Sequence, residues 1–213
     1  SKKLDIELSV HAPYYIVLTS EKNEVIENSI KEMIKTLKLS ELMNAKKVIF
    51  HPGFNTTNAL KKCINGILKI KEDYQGKVEI LPETMGRLSQ LGSLNDVLEI
   101  CRETGCLPCI DFGHLHARGL GSLKNEEDFR KIILDIEENL GEKFIQGLHC
   151  HFYPVEFTDK GEKVHRAVTE KNVFPRFKDF APIIKEFNLK PTLISESRDS
   201  QDLGALEMKE ILK

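Results

Sequence analysis

The 213-residue sequence predicts an α/β fold, a (β/α) TIM-type barrel, on three observations. Short apolar runs alternate with amphipathic helical stretches from one end of the chain to the other. No Gly-x-Gly-x-x-Gly turn and no phosphate-loop motif follows any of these runs. A His, Glu or Asp stands near the end of every one. Strict alternation implies a parallel sheet with helices packed outside it. The missing glycine-rich turns remove the best support for a nucleotide-binding open sheet. Polar side chains at the carboxyl ends of strands are where a barrel assembles its site.

The elements follow in order. Leu4 to Val10 alternates apolar and charged residues and reads as the first strand. Ser20 can cap a helix whose apolar stripe is Ile26, Ile30, Met33, Ile34 and Leu37. Lys47 to Phe50 is the second strand. A helix follows from about Thr56, with Leu60, Ile64, Ile67 and Leu68 on one face and Gly76 at its end. Val78 to Leu81 is the third strand, after which Ser93 and Asp96 resemble a capping box opening a helix to Gly105. Leu107 to Ile110 is the fourth, and Phe129, Ile132, Ile133 and Ile136 lie on a helix ending near Gly141. Phe144 to Leu148 is the fifth, with Pro175 in the first turn of a helix carrying Phe177, Phe180, Ile184 and Phe187. Thr192 to Ile194 is the sixth, and a last helix starts near Ser200. Barrels of this type have eight units. Residues 1–213 therefore read as a single barrel domain of six βα units, an eight-unit barrel shortened at its N-terminus.

Composition bounds the function. Thirty-one basic against thirty-three acidic residues give a net charge of -2, which argues against nucleic-acid binding driven by bulk charge, though not against a local basic strip. With 40% hydrophobic residues the chain can bury a large core, and no apolar run reaches the ~20 residues of a membrane span. There is no signal-peptide layout, and the five Cys form no even framework, so reduced thiols and a cytoplasmic location are expected. A monomer without membrane partners is expected.

Seven His mark the chemistry. His11, His51, His114, His116, His149 and His151 fall at or shortly after predicted strand ends, His165 lies farther along the loop after the fifth strand, and none is expected inside a helix. Glu83, Asp111 and Glu196 occupy the remaining ends. A mixed imidazole and carboxylate set suits Zn2+, and also Mn2+ or Fe2+. The ligands exceed what one tetrahedral ion needs, so two or three ions are expected, with a carboxylate bridging a pair. Such clusters suit hydrolysis by metal-activated hydroxide.

His11-Ala-Pro-Tyr14-Tyr15, His51-Pro-Gly, Glu83-Thr-Met-Gly, Asp111-Phe-Gly-His114, Gly147-Leu-His149 and Leu-Ile-Ser-Glu196 occur in the order and spacing of endonuclease IV, and from Ser9 to Glu196 the chain resembles that family. The resemblance implies a zinc-dependent apurinic/apyrimidinic endonuclease on a xylose-isomerase-like barrel, cleaving damaged double-stranded DNA 5′ to abasic sites in base excision repair. It implies His11 and His51 as ligands of a first zinc, and Glu83, the catalytic carboxylate, as shared between the first and second. Asp111, His149 and Glu196 resemble the remaining ligands of the second zinc; His114 and His165 resemble ligands of a third. Tyr14 and Tyr15 stand where the family inserts side chains into DNA. Arg87, Arg118 and Arg198 lie in loops at the same face, where they could meet phosphates.

The chain departs from the family at two places. Lys163 stands where the third-zinc loop has aspartate, and Glu162 is the candidate substitute. His151 is expected to point away from His149 and to pack, and His116 is not assigned. Cys106-x-x-Cys109 is read as ending in a buried strand cysteine. A sugar isomerase or epimerase on the same barrel, or a non-catalytic metal-binding remnant, are the alternatives; the many His and the His-x-x-Tyr-Tyr loop speak against the isomerase.

Overall fold

The computed structural model describes residues 6–213, which divide into two compact units. Leu4 and Asp5 of the first expected strand lie outside the described residues.

The first unit comprises residues up to Glu83 together with Ser89–Pro108. Strands β1 (Leu8–His11), β2 (Ala45–Phe50) and β3 (Glu79–Pro82) form a parallel sheet in that order, pairing His11 with Ile49 and Ile49 with Leu81. The ladder continues past the strand ends: the Ala12 amide donates to the Ile49 carbonyl at 2.7 Å and the Glu83 amide to Phe50 at 3.1 Å. This holds His11, His51 and Glu83 on three neighbouring backbones at one end of the sheet.

Helices α1 (Asn23–Leu42), α2 (Ala59–Asp73) and α3 (Leu94–Thr104) connect and flank the strands. In α1 the expected stripe is buried at Met33 and Leu37 and half-buried at Ile26, Ile30 and Ile34. Ser20 does not cap it; its hydroxyl accepts from the Lys22 amide at 3.1 Å, and Lys22 takes the cap position. In α2 the buried face is Ala59, Cys63, Gly66, Ile67 and Ile70, rotated from the expected one so that Leu68 is exposed. Gly66 faces Leu18, where a Cβ would lie 3.1 Å from a methyl, so close approach and not hydropathy sets that face. The helix ends at Asp73 with Tyr74 as cap, before Gly76. In α3 the local signals prevail: Ser93 and Asp96 form the capping box, and Gly105 closes the helix at φ +67°.

The second unit comprises Thr84–Leu88 and Cys109–Lys213. It runs β4 (Cys109–Asp111), α4 (Phe112–Arg118), α5 (Glu126–Leu140), α6 (Glu142–Gln146) and β5 (His149–Phe152). Then follow β6 (Val155–Thr158), β7 (Gly161–His165), α7 (Phe177–Glu186), β8 (Thr192–Ser195) and α8 (Gln201–Leu212). Strands β4, β5 and β8 form a parallel sheet in that order, while β6 and β7 make a separate antiparallel hairpin. Among the described residues no ladder closes into a barrel.

Three expectations are corrected here. Phe144 to Leu148 is not a strand: most of it belongs to α6, and β5 begins at His149. The stretch after Asp111 is a helix, because the Asp111 carboxylate accepts the His114 amide at 2.7 Å and so caps α4. His114 and His116 therefore lie in a helix body. The β6–β7 hairpin, turning with Gly161 at φ +89°, was not expected at all. The core under β5 is aromatic: Phe112, Phe129 and Phe180 meet with ring centroids 4.4–5.4 Å apart, and α5 buries the predicted Phe129, Ile132, Ile133 and Ile136.

Candidate metal centre

In the first unit, His11 ends β1, His51 follows β2 and Glu83 follows β3. The Nε2 atoms of both His11 and His51 lie 3.1 Å from the same carboxylate oxygen of Glu83, which is 1% exposed. His11 donates from Nδ1 to the Ala12 carbonyl at 2.8 Å. With Nδ1 so engaged, Nε2 is the ring atom that faces the carboxylate, and a cation between them would use both as ligands. The three side chains offer ligand atoms within 4.8 Å of one another, a set that fits a zinc-class ion.

The second unit repeats the device. His114 donates from Nδ1 to the Thr84 carbonyl at 2.8 Å, and His165 from Nδ1 to the Glu196 carbonyl at 3.1 Å. Their Nε2 atoms face the two oxygens of Glu162 at 3.2 and 3.4 Å. Burial pushes the Glu162 carboxyl up, but hydrogen bonds from His114 and His165 overrule it and hold the group well below the carboxylate range. Burial likewise lowers His165, yet its bonds to Glu162 and to the Glu196 carbonyl leave it raised. Lys163 turns away from this set and pairs with Glu156 at 2.5 Å. Two glycines make room for this set. A Cβ on Gly86 would lie 2.7 Å from Glu162 Cβ, and one on Gly113 would lie 2.6 Å from Tyr153, whose ring stacks on His165 at 3.8 Å.

A further set in this unit joins Asp111, His151 and Glu196. His151 Nδ1 lies 3.3 Å from Glu196 Oε1 and 3.7 Å from Asp111 Oδ2. The expectation that His151 points away from His149 is wrong, since residues i and i+2 of a strand share a face. The two rings meet edge-on at 5.5 Å, and it is His151 that faces the two carboxylates. Strand alternation alone could have found His151 once His149 was assigned. Tyr153 carried no sequence signal; its role appears only when the hairpin folds back over α4.

The remaining candidates are placed as follows. Tyr14 is 79% exposed with its ring 5.6 Å from His11 and 5.3 Å from His51, and Tyr15 is exposed beside Glu32. Arg87 is exposed and bridges to Gly161, whereas Arg118 donates to the Arg87 carbonyl at 2.8 Å and so braces that loop. Arg198 pairs with Asp199 at 3.6 Å. His116 is buried between Phe157 and Phe174, accepts the Leu123 amide at Nδ1, and is pushed down by burial to about 4, so it is a neutral packing residue. No helix among the described residues is long and apolar enough to cross a membrane.

A parallel α/β fold with imidazole and carboxylate sets at its strand ends defines the class, a candidate metalloenzyme of barrel type. The chain belongs to the xylose isomerase-like TIM barrel family, whose model matches residues 1–213. It is 37% identical over 201 residues to an uncharacterized protein of Methanocaldococcus jannaschii, covering 91% of this chain and 72% of that one. It is 27% identical over 154 residues to a probable endonuclease 4 of Halothermothrix orenii, covering 68% of this chain and 55% of the relative. The chain thus spans about half the length of that relative. Among solved structures, endonuclease IV from Thermus thermophilus matches with a TM-score of 0.74 at 15% identity, over 97% of this chain and 76% of that one. A D-tagatose 3-epimerase-like protein matches with 0.73 at 18%, over 99% and 79%. These likenesses define the fold and leave the reaction to the site.

Proposed function

We propose that the protein is a zinc-class metal-dependent endonuclease, a hydrolase that cleaves double-stranded DNA 5′ to abasic sites. The observation that carries this reading is the pair of carboxylates, Glu83 and Glu162, each faced by the Nε2 atoms of two imidazoles. The similarity to a relative named endonuclease 4 supports it.

In this reading His11, His51 and Glu83 hold one ion, and His114, Glu162 and His165 hold another. Asp111, Glu196 and His151, in place of His149, hold a further one. Bound ions would supply a nucleophile from water near neutral pH and neutralise charge on the phosphate. The chain's own residues orient and bind. Backbone carbonyls of Ala12, Thr84 and Glu196 fix the imidazole tautomers. Asp111 spends one oxygen on the His114 amide, which fixes the direction of the other. Tyr14 stands exposed beside His11 and His51, where an aromatic can fill the gap left by an extruded nucleotide. Arg87 offers an exposed guanidinium for a phosphate. No side chain is required as nucleophile.

The test combines metal analysis of the purified protein with nicking of a duplex carrying one abasic site and turnover of a ketose panel. Metal-dependent nicking at the lesion is the expected result. Ketose turnover without nicking would replace this reading with the epimerase one.

A further inference from the structure

We propose that Cys109, His149 and His151 form a further, deeper cation site, a thiolate with two imidazoles that takes a zinc-class ion. The strand register builds it: Cys109 pairs with His149 and Asp111 with His151. Because alternate residues share a face, the second unit's sheet presents two polar layers. Asp111 and His151 form the upper one, towards the strand ends, and Cys109 and His149 lie one step below. One ligand atom from each of Cys109, His149 and His151 lies within 4.8 Å of the others.

The set is almost wholly inside the protein, with Cys109 at 0%, His149 at 1% and His151 at 3% exposure. A shared cation would take one ligand atom from each of these three buried side chains at once. Ligand bonds of about 2.0–2.3 Å put the ligands of a tetrahedral ion about 3.3–3.8 Å apart, so closure from within 4.8 Å takes a movement of at most about 1.5 Å. The donor types also separate this set from its neighbours. Sulfur with two nitrogens selects borderline to soft ions, whereas the sets around Glu83, Glu162 and Glu196 are mixed nitrogen and oxygen. Cys150 alternates to the other face of β5, leaving Cys109 as the cysteine of this layer.

Binding is a proton exchange without redox change: the Cys109 thiol releases its proton to solvent as the sulfur–metal bond forms. His151 belongs to both layers, since its Nδ1 also faces Glu196 and Asp111. Occupancy of the deep site therefore draws on a side chain that the upper set uses. Whether an ion binds there does not depend on which reaction the protein catalyses.

The experiment titrates the metal-stripped full chain with Co2+ and follows the near-ultraviolet thiolate-to-cobalt charge-transfer band. The expected result is a band saturating with one thiolate-bound cobalt, lost in Cys109→Ser, weakened at least tenfold in apparent affinity in His149→Gln, and kept in Glu162→Ala and Cys106→Ser. Absence of the band in the unaltered chain, or its persistence in Cys109→Ser, overturns the proposal. X-ray absorption of the zinc-loaded unaltered chain needs no variant: a sulfur neighbour at about 2.3 Å is expected, and a shell of nitrogen and oxygen alone overturns it.

Discussion

At Glu83 a carboxylate closed off from solvent is faced by two imidazole nitrogens, so what lies between them decides whether the cluster is comfortable. Glu83→Gln keeps the shape, and its amide can donate to one Nε2 where the carboxylate could only accept. The fold should survive while the charge that holds an ion is gone. Metal content should fall by about one ion per chain and abasic-site nicking by at least ~10–100-fold, the usual scale for losing support at a metal site. Near-normal nicking by the folded variant would count against the metal-centre reading. Tyr14 calls for a different measurement, because its ring lies beside His11 and His51 but is mostly in solvent. Stacking a base on an aromatic contributes ~1–3 kcal/mol, so Tyr14→Ala should weaken binding to an abasic duplex about 5- to 150-fold. The loss should appear in KM and not in metal content. An effect on kcat with reduced metal would make Tyr14 a support of the site and not a contact to DNA. Tyr15 is exposed beside it and is expected to act in the same way.

The loop at residues 84–88 and the β6–β7 hairpin show how one element positions another. The Glu162 amide donates to the Gly86 carbonyl and the Leu88 amide to the Lys160 carbonyl, each at 3.1 Å, so the hairpin is laid directly on the loop. Gly86 is what lets the two backbones approach. In Gly86→Ala the new Cβ would sit 2.7 Å from Glu162 Cβ and 2.9 Å from His114 Cδ2. Overpacking of this kind costs about 1–3 kcal/mol. A displaced Glu162 should in addition lower the affinity for one ion by ~10–100-fold. Denaturant unfolding and a metal titration read the two effects, with Gly147→Ala as the control, because nothing lies within 4 Å of that position. Unaltered metal binding in Gly86→Ala would mean the hairpin does not position Glu162. These elements also mark the limit of what the sequence discloses. Helix α3 was legible from its Ser93–Asp96 capping box and α5 from its apolar stripe, both local signals. His11, His51 and Glu83 were legible because parallel strands bring their ends together. The hairpin pairs locally, Val155 with His165 and Thr158 with Gly161, but its seat on the residue 84–88 loop, which aims Glu162, depends on a segment far away in sequence. The apolar Phe144–Leu148 stretch reads as a strand but mostly forms α6, and the shared face of His149 and His151 shows only once β5 starts at His149.

For the whole molecule, the proposed ion sets would link metal binding to folding. Each compact unit carries its own set, His11, His51 and Glu83 in the first and His114, Glu162 and His165 in the second. An ion that binds only the folded protein stabilises it in proportion to the logarithm of its concentration over Kd, about 2.7 kcal/mol at a hundredfold excess. A chain of this size shifts by about 2–4 °C per kcal/mol, so removing one such ion should lower the melting temperature by about 5–11 °C. Calorimetry before and after treatment with a chelator checks this. If the scan resolves two transitions, both should move down, because neither unit is without a set. Re-addition of Zn2+ should restore the unaltered chain fully but Glu83→Gln only in part, with the unrestored part belonging to the first unit. A melting temperature indifferent to the chelator would mean that the convergent imidazoles and carboxylates hold together by protonation alone, and the metal-centre assignment would fail in both units.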